Sequence, residues 1–191
     1  MSIKRLAIFC GARNGNGKEY LVEAEKVGEW LTDHQIELVY GGGKYGLMGA
    51  VARGALLNDG VVHGVITEKL NGRGVAMEGL TSMQVTENMD KRKEKMMEMA
   101  DGMIAFPGGL GTMEEIMQAA SWMTVGDNTK PVAIYNFQGF YDDLKNQLFK
   151  MNQAGFLEDS FFENVYFGDN MDDILHYMEI FHAPHYRTYE K

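Results

Sequence analysis

The sequence predicts an α/β chain built on a doubly wound parallel sheet with helices on both faces. Short apolar runs alternate with helix-periodic segments from Arg5 to Phe181. The runs lack the polar alternation of half-exposed strands, as expected when both faces of a sheet are covered. Glycine clusters follow three of the runs, beginning at Gly11, Gly41 and Gly108. In open parallel sheets such strand-to-helix junctions hold the ligands. No internal repeat, low-complexity tract or linker interrupts the pattern, so residues 1–181 are expected to form a single domain and residues 182–191 a polar tail.

In chain order, Leu6, Ala7, Ile8 and Phe9 form the first apolar run, ended by Gly11. The loop that follows resembles a P-loop only superficially. Ala12 stands where its first glycine belongs, and Glu19 where Ser or Thr would hold magnesium. Leu21, Ala24, Val27, Gly28 and Leu31 then mark a helix over 20–32. A second strand at 36–40 runs into Gly41-Gly42-Gly43 and Gly46-Leu47-Met48-Gly49. Gly41, Gly43 and Gly46 fit G-x-G-x-x-G, with Glu68 at the distance of the acidic ribose ligand. They follow the second strand rather than the first, however, which favours a further phosphate-approaching loop over a dinucleotide site. A helix at 48–57 and a strand at 61–66 come next. Residues 68–81 have no clear period and read as a lid or edge excursion, and 83–85 as a short strand. A helix over 88–100 is expected to be capped by Asn88. Later elements are a strand at 103–105, a helix at 112–125, a strand at 132–135, a helix at 141–152 stopped by Gly155, a strand at 165–167 and a helix at 171–181. Leu144, Leu148, Phe149 and Met151 are the apolar residues of the helix at 141–152.

Two charged residues fall on apolar stripes. Thr112, Glu115, Ala119, Trp122 and Met123 share one helix face, whereas Glu114 shares a polar face with Gln118 and Ser121. With Thr112 as N-cap, Glu115 has the spacing of a capping box. A carboxylate on a buried stripe beside a glycine loop is otherwise paired or used, because desolvating it alone costs several kcal/mol. Arg92 shares a stripe with Met89, Met96 and Met99, and there a guanidinium needs a carboxylate or phosphate partner. Lys93 lies next to it, and Lys91 and Lys95 read as solvated.

The 191-residue chain is 45% hydrophobic, enough for one full core. Its net charge of −9 disfavours sequence-independent binding to nucleic acid or an anionic membrane. The single cysteine, Cys10, and the lack of a signal-peptide pattern or a long apolar run lead us to expect a soluble cytoplasmic protein. His182 and His185 lack the helical spacing and third ligand of a metal site, so no metal or cofactor is expected.

Phe9-Cys10-Gly11, the Val39–Gly49 loop, Arg92-Lys93 and Pro107-Gly108-Gly109-Leu110-Gly111-Thr112-Met113-Glu114-Glu115 together resemble the "lonely guy" (LOG) family. These are cytokinin riboside 5′-monophosphate phosphoribohydrolases, long labelled possible lysine decarboxylases. The resemblance covers about residues 4–156 and implies a Rossmann-like fold, a homodimer and a purine nucleoside monophosphate substrate. It assigns catalysis to Arg92 and Glu115, and cradling of the phosphate to Gly42, Gly43, Gly111 and Thr112. Gly11, Met89, Lys93, Pro107, Gly108 and Gly109 complete the implied nucleotide-binding set. Asp90, Arg53 and Thr67 depart from the usual family residues. The implied dimer would use helices around 88–125, where Met96, Met97, Met99, Trp122 and Met123 are candidate interface residues. The alternative is a non-catalytic nucleotide or molybdenum-cofactor carrier of the same fold. Decarboxylation would need a Schiff-base lysine with an acidic partner for the pyridinium, which nothing in the sequence specifies.

Overall fold

The computed structural model describes residues 2–186. Its centre is β1 (Arg5–Phe9), which pairs in parallel with β2 (Glu37–Tyr40) on one side and β5 (Gly102–Ala105) on the other. With β3 (Val62–Thr67), β4 (Ser82–Thr86), β6 (Val132–Tyr135) and β7 (Val165–Gly168), the sheet order is β4-β3-β2-β1-β5-β6-β7, parallel throughout. The doubly wound α/β expectation is met.

Both faces of the sheet are apolar because both are covered. Leu6 and Ile8 point into one cluster with α1 (Lys18–Asp33), α2 (Gly46–Leu57) and α8 (Met171–Ile180). Ala7 and Phe9 point into the opposite cluster with α4 (Met89–Met99) and α5 (Leu110–Val125). Each large side chain buried in these layers contributes about 1.5–3 kcal/mol. Three proposed interface residues are spent there: Met96, Met97 and Met123 are buried against the sheet rather than displayed. Met99 and Trp122 are partly buried against the same cluster.

The segment without periodicity is largely tied down. Thr67 caps the short α3 (Glu68–Asn71) by accepting from Leu70 N. Residues 75–77 then bridge back to the second glycine loop: Met77 N donates to Gly42 O at 2.9 Å and Lys44 N to Val75 O at 2.9 Å. Asn88 caps α4 as expected, accepting from Lys91 N. In α6 (Asp142–Gln153) only Leu148 is buried; Phe149 and Met151, read as part of its apolar pattern, are exposed. The helix ends at Gly155, whose φ of +77° suits the left-handed stop. The short α7 (Asp159–Phe162), which carries no readable period, seats Phe161 in the core. Residues 182–186 of the tail are non-helical, and Tyr186 lies against Gly126 at the end of α5. The last five residues of the tail lie outside the described residues. Among the described residues no helix is long and apolar enough to cross a membrane.

Helices α1 and α2 approach through glycine. A Cβ on Gly54 would collide with the main chain of Glu25, and one on Gly28 with Val51 O and Ala55 N. Backbone cannot yield as a side-chain rotamer can. Gly54→Ala is therefore expected to lower stability by about 2–4 kcal/mol, although alanine gains about 1 kcal/mol of helix propensity over glycine. Thermal or urea unfolding of the variant checks this, and an unchanged or raised midpoint would contradict it.

Candidate active site

Beyond β1 the strand order reverses, with β2 on one side and β5 on the other, so the loops leaving β1 and β5 part and leave a crevice at the carboxyl edge. Gly11 N donates to Pro107 O at 3.1 Å and closes the floor. The cleft, about 360 Å³, is lined by Cys10, Gly11, Ala12, Arg13, Met48, Leu70, Arg92, Gly109, Gly111, Thr112 and Glu115. A second depression of about 230 Å³ shares Gly11, Arg13 and Gly109 and adds Tyr20, Leu47, Pro107, Gly108 and Phe140. All three glycine stretches reach these cavities, the second through Leu47 and Met48. Gly42 and Gly43 are not among the cleft's lining residues; they anchor the segment at 75–77 instead. Met89 and Lys93 are also absent from the lining.

Arg92 is 6% exposed and Glu115 8%, and they pair, Nη1 to Oε1, at 3.0 Å. The guanidinium is held from three sides. Nε donates to Val65 O at 2.9 Å, Nη2 to Gly41 O at 3.1 Å, and Nη1 also lies 3.4 Å from Met89 Sδ. It therefore sits on a carbonyl within β3 and one just past β2 and presents a fixed edge to Glu115. Burial pushes the Glu115 carboxyl pKa up, Arg92 only partly offsets this, Glu114 adds to the rise and Lys93 opposes it.

The start of α5 differs from expectation. The helix begins at Leu110 with Gly109 as N-cap, not at Thr112, and Gly109 makes no side-chain cap bond. Gly109 enters the helix from the loop in an extended conformation, with φ of −103°. The first intrahelical bond is Met113 N to Gly109 O at 3.0 Å. The N–H groups of Leu110, Gly111 and Thr112 precede it and have no intrahelical acceptor. Thr112 is buried with its hydroxyl packed at Gly108, so Glu115 has no capping box to serve and is left to Arg92.

Periodicity separated the adjacent glutamates as the structure does. The Glu114 side chain is 55% exposed and bonds Lys93 Nζ, which Asp90 also meets at 3.2 Å. Lys93 is itself 4% exposed, and its bond to Glu114 raises its pKa. The Cys10 thiol lies at the cleft, but burial, with Glu115 adding, pushes its pKa far up, so it is a thiol and not a nucleophile. Two features escaped the sequence. Tyr141 Oη donates to Phe106 O at 3.0 Å and steadies the loop before α5, and Arg13 stands on the rim of both cavities. The Phe140-Tyr141 pair after a glycine was the available signal for the first, and the glycine loop after β1 for the second.

Residues 48–178 match the family described as possible lysine decarboxylase. The probable cytokinin riboside 5′-monophosphate phosphoribohydrolase LOG4 of Oryza sativa subsp. japonica is 36% identical over 91% of this chain and 75% of its own. The cytokinin riboside 5′-monophosphate phosphoribohydrolase LOG2 of Arabidopsis thaliana is 34% identical over 95% of this chain and 85% of its own. Among solved structures, a molybdenum cofactor binding protein from Rippkaea orientalis superposes with a TM-score of 0.69 at 20% identity, covering 94% of this chain and 97% of that one. The Moco carrier protein of Chlamydomonas reinhardtii gives 0.67 at 18%, over 93% and 96%. At that identity the two structures show a shared fold. The closer sequence relatives show more: the chain belongs to the LOG phosphoribohydrolase family, the family described as possible lysine decarboxylase, and is a hydrolase.

Proposed function

We propose that the protein cleaves the N-glycosidic bond of purine nucleoside 5′-monophosphates, cytokinin-type or plain, to free base and ribose 5-phosphate. The observation that carries this is the buried Arg92–Glu115 pair facing the same cleft as the unbonded N–H groups that open α5. Those N–H groups and the positive end of the helix dipole suit the 5′-phosphate. Glu115, one turn further on, then faces the ribose. As the bond between C1′ and the purine nitrogen lengthens, positive charge spreads over C1′ and the ring oxygen, and Glu115 stabilises it. A base with a raised pKa accepts a proton well. Glu115 takes one from water as the hydroxyl adds to C1′, and the departing nitrogen takes up a proton from solvent to leave as neutral base, Glu115 returning its own proton to solvent. Arg92 fixes the carboxylate's direction throughout. Of the resemblance-derived set, Gly11, Gly109, Gly111 and Thr112 line the cleft, and Pro107 and Gly108 the adjoining depression. For Gly42, Gly43, Met89 and Lys93 we propose supporting roles around it. The carrier reading gains less, since a carrier has no chemical use for a base held by Arg92.

We also infer a homodimer. An apolar groove of about 330 Å³ between α5, α6 and α7 includes Met117, Ala120, Met151 and Phe156, and Phe156 is 81% exposed. Exposed apolar surface of this kind suits a two-fold contact with a second copy of the chain.

Base release from AMP but not from adenosine, followed chromatographically, is the expected result, and equal rates on both would overturn the proposal. Glu115→Gln should lower kcat by at least ~100-fold, whereas Glu114→Gln should stay within about threefold. Because Glu115 must be ionised and its pKa is raised above 4.5, kcat should rise with pH through an inflection above that value. Glu115→Gln should abolish this acid limb. Light scattering should give twice the 21.5 kDa chain mass; a mass of one chain would refute the dimer.

A further inference from the structure

Arg13 is a charged cleft residue that the mechanism above leaves unused. It lies on the rim common to both cavities, on the loop that leaves β1 at the switch point. Its main chain is fixed. Met48 N donates to Gly11 O at 3.2 Å, and the Ala12-Arg13 peptide fills the space where a Cβ of Gly46 would sit, allowed by that glycine's φ of +64°. Its side chain is exposed and, among the described residues, has no hydrogen bond or ion pair. Arg5, Arg53 and Arg92, by contrast, each face a carboxylate. Glu115, the carboxylate lining the same cleft, is already held by Arg92.

Across the cleft stand the N–H groups that open α5. Gly109 and Gly111 both line the cleft. Neutral N–H donors and a helix dipole carry only partial charge, about half an elementary charge at the terminus, against a phosphate monoester of nearly two. Arg92 is turned to other partners, its three nitrogens bonding Val65, Gly41 and Glu115. An unpaired guanidinium on a fixed Cα can supply the difference, and its planar fork matches phosphate oxygens two at a time.

We propose that Arg13 is a specificity-determining residue of this cleft, closing on the substrate's phosphate from the side opposite α5 and setting the preference for nucleoside monophosphates over nucleosides. This rests on the phosphoribohydrolase reading above. Arg13→Gln removes the charge at an exposed position, and Arg13→Lys keeps it without the fork. Calorimetric titration with AMP and with adenosine, and steady-state kinetics on AMP, are to be run on the parent and both variants. Arg13→Gln should weaken AMP binding and raise KM by about 10- to 100-fold with kcat within about threefold, with Arg13→Lys intermediate. Adenosine binding should not change, and the salt dependence of AMP binding should flatten. Unchanged AMP affinity in Arg13→Gln, or an equal loss for adenosine, would overturn the assignment. If the parent binds AMP through Arg13 but releases no base, the phosphoribohydrolase reading fails and the phosphate assignment stands.

Discussion

The arrangement depends on where one guanidinium is held. Arg92 reaches from α4 under the sheet's carboxyl edge and takes two carbonyls, Val65 within β3 and Gly41 just past β2, before it meets Glu115 on α5. Gly41 has to be glycine for this to fit. A Cβ there would fall on Arg92 Nη2 and crowd Met48 Sδ, so its role is to admit the arginine rather than a ligand. A buried ion pair seldom adds net stability over a well-packed apolar pair, while losing one partner costs several kcal/mol. What this pair supplies is a carboxylate of fixed position in a dry wall of the cleft.

The second constraint is the glycine that starts α5. Because the chain enters the helix at Leu110, the first turn is made of Leu110, Gly111 and Thr112, whose N–H groups lack intrahelical acceptors, and Glu115 comes after that turn. A start at Thr112 would have moved those donors toward Glu115 and brought the carboxylate into the cap. The observed start separates anion-binding donors from the base along one helix. The switch point between β1 and β5 then sets the loop carrying Gly11 and Arg13 against them.

Much of this was legible in the sequence. Both-face burial shows as unbroken apolar runs, which placed every strand to within a few residues, and the 3.6 period placed Arg92 and Glu115 inside before any family likeness was weighed. What failed did so for identifiable reasons. A threonine before two glutamates looks like a cap, but the helix starts earlier, with Gly109 as its N-cap, and nothing periodic marks that start. Met96, Met97 and Met123 look the same in sequence whether they face a sheet or a partner chain, and here the sheet claims them. Phe149 and Met151 follow the apolar pattern of α6 yet face outward, because that helix buries only Leu148. One contact of the second glycine loop leaves no local trace in the sequence: Gly42 O accepts from Met77 N, more than thirty positions away.

Lys93 shows how the neighbouring charges are sorted. It lies one residue after Arg92 and is buried almost as deeply, so a second cation is available to the carboxylates of α5. Were it turned to Glu115, two positive charges would hold that carboxyl ionised and weakly basic. Glu114 and Asp90 take it instead, and among the described residues Arg92 is the one cation bonded to Glu115. Burial then outweighs attraction, and the carboxyl pKa moves upward. The exposed glutamate thus contributes to the buried one's basicity by occupying the lysine. Two adjacent acids with one cation each make one of them a surface pair and the other a base.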